Sequence, residues 1–296
     1  MFQLSNDLLN IKVKAKGAEL CEISSVKNNR QFMWHANPKV WASYAPNLFP
    51  IIGSMKDDSY VFNEKAYRMP KHGFVRHNED IKLLEQTENS LTFSLKQNKQ
   101  LSEWFPFDFE FLLKYILTDN ILTLTHTVKN LGDSDMYFSI GGHPAFKCPF
   151  YEEDNYTDYH LEFEHPETAK SYLLNMDNGL VTDQTKPVFN TKNTINLKPD
   201  LFNEDALIFK DLSSRKVALV SKNHGEILNV SFPDFKYLGI WAKPNAPYVC
   251  IEPWLGIADH ENTNQDITKK EGIIKLAANK TFTASYSIQI HNQHLE

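Results

Sequence analysis

No block of lysine or arginine interrupts this 296-residue chain, and its net charge is −6. It therefore lacks the basic surface that nucleic acid or an anionic membrane would need, so neither is expected as a partner. No run approaches the roughly 18 apolar residues of a membrane span. The opening Met1-Phe2-Gln3-Leu4-Ser5-Asn6-Asp7 has no basic region, apolar stretch or cleavage site of a signal peptide, which predicts a cytoplasmic setting. Three cysteines, Cys21, Cys148 and Cys250, are too few and too scattered for a disulfide framework or a zinc ribbon. His-Glu-x-x-His, Cys-x-x-Cys, a P-loop, a nucleophile elbow and a dinucleotide fingerprint are all missing. The spacing of His72 and His77 is not a helical i, i+4 pair. No metal and no cofactor are expected.

What the chain does have is period-two alternation. Leu9, Ile11, Val13 and Ala15 alternate with polar neighbours, as do Leu91, Phe93 and Leu95. Similar runs lie at 121–128, 161–163, 216–221, 226–232 and 281–290, rich in Val, Ile, Thr, Phe and Tyr. Such runs predict antiparallel sheet with one wetter face. Helical signal is confined to a turn or two within 266–279 and within 96–104. With 42% hydrophobic residues, no fixed-period repeat and no low-complexity linker, the expectation is one all-β domain over residues 1–296, a large antiparallel β-sandwich.

Four segments break the alternation with clustered polar residues and glycine. They are Asn47–Ser54 with Met69–His77, then Ser139–Phe146, then Asn203–Phe209, then Tyr237–Trp241 running into Tyr248–Gly256. Glu252 follows the apolar run Tyr248–Ile251 and precedes Pro253, which predicts the end of a strand. A carboxyl there, between Trp241 and Trp254, has its charged form disfavoured by burial, which suits a general base. A strand-end glutamate in a salt bridge fits the same pattern. His143, between Gly142 and Pro144, suits proton exchange near neutral pH, and equally a satisfied, partly buried histidine. His72 and Arg76 share a face if their segment is extended, a pairing suited to hydroxyls or an anion, or else they are solvated turn residues. Trp241, Trp254 and Phe74 offer aromatic faces to an apolar ligand surface, although as single residues such aromatics are more often core. Cys148 and Cys250 lie near these segments and read as small buried hydrophobes.

The ordered set His-Gly-Phe-x-Arg at 72–76, Gly-Gly-His-Pro-Ala-Phe at 141–146 and Ile-Glu-Pro-Trp at 251–254 resembles the aldose 1-epimerase (galactose mutarotase-like) family, in particular its LacX-type branch. The resemblance extends over nearly the whole chain, through Leu48-Phe49-Pro50 and Gly239-Ile240-Trp241. It implies a galactose mutarotase-like sandwich with a sugar in an open cleft, a monomer or homodimer without cofactor. It further implies Glu252 as general base, His143 as general acid and His72 as a sugar ligand. A third-segment carboxylate would grip hydroxyls; Asp205 is the choice, with Glu204 and Asp211 as rivals. Many relatives carry an arginine close to the Gly53 position, where this chain reads Gly53-Ser54-Met55-Lys56; either Lys56 stands in or the contact is missing. Branches that act on hexose 6-phosphates use extra basic residues, a part open to Arg76 and Lys71. A non-catalytic sugar binder, and more distantly a glycoside hydrolase using Glu252 and Asp205, are the rival functions.

Overall fold

The computed structural model describes residues 1–296. The alternating runs become strands where the pattern predicts them. Lys216–Ser221 and Thr281–Ile290 coincide with their runs, and Ile121–Asn130 shows strict inward and outward alternation along its length. A nine-stranded sheet runs, edge to edge, through Thr194–Asn196, Tyr159–Phe163, Lys216–Ser221, Gly225–Ser231, Thr281–Ile290, Ile121–Asn130, Phe109–Thr118, Ser90–Lys96 and Lys82–Gln86. An eight-stranded sheet runs through Val181–Lys186, Ser171–Leu174, Leu207–Phe209, Tyr237–Trp241, Tyr248–Leu255, Ile140–Gly142 and Asn47–Leu48, with Ala145–Lys147 also paired to Tyr248–Leu255. The pairings within both sheets are antiparallel.

One buried cluster of 72 residues, reaching from Leu4 to Leu295, draws on both large sheets, so they form the two layers of a sandwich. Burying each large apolar side chain there contributes about 1.5–3 kcal/mol. The layers meet closely beneath Gly142, where a Cβ would strike the Tyr286 hydroxyl; glycine is required by that approach and not by its backbone angle. The Tyr248–Leu255 strand is buried on both faces. Its Val249 and Ile251 join the large cluster, while Trp254 joins a separate nine-residue cluster on the opposite side of the sheet. That opposite side carries the site described below.

Helical structure is as scarce as expected: one α-helical turn at Lys99–Ser102, capped by the Asn98 side chain, and six three-residue 3-10 turns, among them Ile267–Lys269 capped by Asp266. The remainder of 266–279 includes a short strand at Ile274–Leu276. Pro253 does not end its strand, contrary to the sequence reading; pairing continues to Leu255, with Pro253 in register with Leu238. The reason is local. Ile251 donates its amide to Pro144 O, so by alternation the imino nitrogen of residue 253 faces the same side, where the partner strand is interrupted. No ladder donor is demanded there, and proline is tolerated.

Candidate active site

The interruption in the partner strand organises the site. Gly141 pairs with Trp254 and Ala145 pairs with Cys250, the same register on either side of the gap. That register sets His143 opposite Glu252, while Gly239 pairs with Glu252 on the other side and Ile208 pairs with Gly239. Ile208, Gly239, Glu252 and His143 therefore form one row across the sheet, with side chains on one face. Gly239 is needed in that row because a Cβ would collide with the Trp254 indole, which lies over it.

Above the row is a cavity of about 230 Å³. This is below the roughly 300–1,000 Å³ typical of drug-sized ligand pockets, and it suits one small ring. Its lining includes the polar residues Lys71, His72, Arg76, His143, Asp205 and Glu252 and the apolar residues Leu174, Ala206, Ile208, Trp254 and Ala258. Trp41, Trp241, Gly53 and Gly179 complete the lining.

His143 Nε2 lies 3.2 Å from Glu252 Oε2, and both side chains are buried. Glu252 Oε2 nevertheless has no hydrogen-bond partner of acceptable geometry, and neither has His143 Nδ1. Burial first, then the charge of Asp205, raises the Glu252 pKa well above the usual carboxylate range, against the opposing pull of Lys71 and Arg76. Burial first, then Arg76, draws His143 down to about 3. Both directions favour an uncharged pair, a carboxylic acid beside a neutral imidazole. The His143 backbone is fixed by its amide, which donates to Pro46 O at 3.1 Å, and its ring lies against Trp41 with centroids 5.1 Å apart and planes at 29°.

His72 is held by a reciprocal pair of bonds: its amide donates to Gly53 O at 2.9 Å and its Nδ1 accepts from the Gly53 amide at 3.1 Å. Burial, with the neighbouring His143, lowers its pKa well below 6.5. A neutral imidazole accepting at Nδ1 carries its proton on Nε2, so His72 offers a donor. Its backbone is left-handed (φ 67°) and Val75–His77 is a 3-10 turn, so the segment is not extended as the sequence reading supposed. His72 and Arg76 still line the same cavity, brought there by the turn.

Asp205 is the third-segment carboxylate in the cavity lining. Its Oδ1 accepts from the Ala206 amide at 2.7 Å. Of its rivals, Glu204 is exposed and paired with Lys186, and Asp211 is exposed outside the lining. Lys56 is a correction: its Nζ donates to Glu261 O at 3.0 Å and it lies outside the cavity lining. Ser54 is buried behind Gly179, and the turn that follows carries Lys56 away. Phe74 takes the core alternative, being buried in the large core among Phe49, Phe105 and Phe109. Trp241 and Trp254 do line the cavity. Trp41 was missed because it sits in a loop with no alternating pattern. One cluster has metal-binding chemistry: ligand atoms of His143, Cys250 and Glu252 lie within 4.8 Å of one another.

Comparison with known proteins agrees with this fold. The family described as aldose 1-epimerase matches residues 1–287. The plasmid-encoded protein LacX of Lactococcus lactis subsp. lactis is 33% identical over 298 residues, covering 98% of this chain and 99% of its own. A galactose mutarotase related enzyme from Lactobacillus acidophilus superposes with a TM-score of 0.91 at 34% identity, covering 98% of this chain and 97% of that one. A galactose mutarotase-like protein from Lactobacillus casei also gives a TM-score of 0.91, at 27% identity, over 98% and 100% of the two chains.

Proposed function

The chain belongs to the aldose 1-epimerase family, and from that premise we propose that it interconverts the α and β anomers of a hexose or hexose phosphate by general acid–base catalysis. The observation that carries this reading is the approach of His143 Nε2 to Glu252 Oε2 at the foot of a cavity scaled to one sugar ring.

The pair shares one proton. With the proton on His143, Glu252 takes the anomeric hydroxyl proton while His143 gives its own to the ring oxygen. The C1–O5 bond breaks, leaving an aldehyde, a carboxylic acid and a neutral imidazole. The aldehyde turns about C1–C2. His143 then recovers the proton from O5 as O5 attacks the other face of C1, and Glu252 returns its proton to O1. The uncharged pair favoured by burial is thus the partner of the open-chain sugar. His72 Nε2–H donates to a hydroxyl or to a ring-opening oxygen, Asp205 accepts from hydroxyls, and Trp241 and Trp254 pack on the apolar face of the ring. Arg76 and Lys71 support a substrate with an anionic substituent: neither has an acidic partner in an ion pair, and Arg76 Nε is buried without a hydrogen-bond partner.

Glu252→Gln keeps the shape of the side chain and removes the base. Polarimetry on fresh α-glucose, α-galactose and their 6-phosphates is expected to show mutarotation about 10²–10⁴-fold slower than the parent, with unchanged circular dichroism. Equal rates would remove Glu252 from the role. One observation favours a second reading, a sugar-binding protein without turnover: Lys56 is turned away to Glu261 O and does not stand in for the arginine that many relatives carry close to the Gly53 position. Calorimetric sugar binding by the parent without any acceleration of mutarotation selects that reading.

A further inference from the structure

We infer that the floor of the cavity is also a site for a borderline-soft divalent cation of the Zn²⁺ type, held by Cys250 Sγ, His143 Nε2 and the Glu252 carboxylate, and that cation and sugar exclude each other. Cys250 precedes Glu252 by two residues on one strand, so alternation puts both on the face of the sheet that carries the cavity, Cys250 fully buried and outside the residues that line it. His143 stands across from Glu252 in the strand register described above. The three ligand atoms lie within 4.8 Å of one another, and the His143–Glu252 edge is 3.2 Å. Zn–N and Zn–O bonds of about 2.0–2.2 Å and a Zn–S bond of about 2.3 Å set tetrahedral ligands about 3.3–3.6 Å apart. The His143–Glu252 edge is close to that length, and the remaining edges, at no more than 4.8 Å, must shorten by about 1 Å on binding.

Two further features point to a ligand. Glu252 Oε2 is buried, 3.2 Å from His143 Nε2, and has no hydrogen-bond partner of acceptable geometry. A thiolate and a carboxylate together supply two negative charges, which a divalent ion neutralises as the thiol proton and the Glu252 carboxyl proton both leave to solvent. Thiolate with imidazole selects Zn²⁺ or Cd²⁺ over Mg²⁺ and Ca²⁺, which require oxygen ligands. The fourth tetrahedral position faces the cavity and takes water. His143 Nδ1 has no partner, whereas the histidine of a resident metal site donates its second ring nitrogen to a carboxylate or carbonyl. The cation is accordingly an exchangeable inhibitor. Its binding rests on this geometry alone; only the exclusion of sugar rests on the proposed function.

Cadmium provides the optical probe. Cys21 is partly exposed and 3.6 Å from the Met1 sulfur, so the titration is made in the full chain carrying Cys21→Ser. A cadmium–thiolate charge-transfer band is expected, saturating at one equivalent and absent when Cys250→Ser is added. By calorimetry, Glu252→Gln binds Zn²⁺ at least about tenfold more weakly, and this isosteric change covers the case in which the cysteine variant fails to fold. Zn²⁺ is expected to slow mutarotation, with added sugar weakening its apparent affinity. The absence of a band in the Cys21→Ser protein overturns the site, as does a band that persists in Cys250→Ser or Zn²⁺ affinity unaltered by Glu252→Gln. A band that sugar does not displace leaves the metal site standing and overturns the exclusion.

Discussion

His126 offers a sharp test of how burial governs ionisation in this protein. It sits in the Ile121–Asn130 strand, is fully buried, and has no hydrogen-bond partner at either ring nitrogen. Phe111, Phe235 and Tyr286 surround it with ring centroids 5.9–6.1 Å away, and burial pulls its pKa from 6.5 to about 4. The folded protein thus keeps this ring neutral, while the unfolded chain takes up a proton below about pH 6.5. Its destabilising effect is absent above pH 6.5, grows as the pH falls, and is complete below about pH 4. At about 1.4 kcal/mol per pH unit this amounts to about 2 kcal/mol at pH 5 and about 3 kcal/mol below pH 4. His126→Leu has similar bulk and removes two unpaired polar atoms. It is expected to be about 1–3 kcal/mol more stable than the parent at pH 8, and by about 2 kcal/mol more again at pH 5. Urea unfolding followed by circular dichroism at both pH values measures the gap. The lowered histidines His72 and His143 are common to both proteins and cancel in the difference. A gap that stays constant between pH 8 and pH 5 refutes the argument.

Two other substitutions test the site. Trp41→Ala removes the ring stacked on His143 and is expected to lower kcat by up to about 100-fold, with KM changed less. It should also move the acid limb of the pH–rate profile upward as the imidazole becomes better solvated. Trp41→Phe retains a stacking surface and should keep most of the rate; equal losses in both variants with an unmoved profile contradict the positioning role. Lys56→Ala is expected to leave kcat and KM within about twofold of the parent, because Lys56 is engaged with Glu261 outside the cavity. A tenfold rise in KM in the same polarimetric assay would show that it reaches the sugar.

Alternation was legible in the sequence because side-chain direction in a strand is a local property with a period of two residues. The strands at Lys216–Ser221 and Thr281–Ile290 needed nothing beyond it. The clustered glycine, proline and polar segments likewise exposed Glu252, His143, His72, Arg76 and Asp205, all of which line one cavity. Local pattern could not choose among segments that carry no period, so Trp41 was overlooked, while Lys56 was drawn in by neighbours in sequence that are not its neighbours at the cavity. Nor could it tell that Pro253 faces a gap in the adjoining strand. Those outcomes depend on which strands lie side by side and in what register, a matter settled by hydrogen bonds between distant parts of the chain. The same register sets His143 opposite Glu252, and only the enclosure it creates raises the pKa of the carboxyl and lowers that of the imidazole, the directions that favour an uncharged pair.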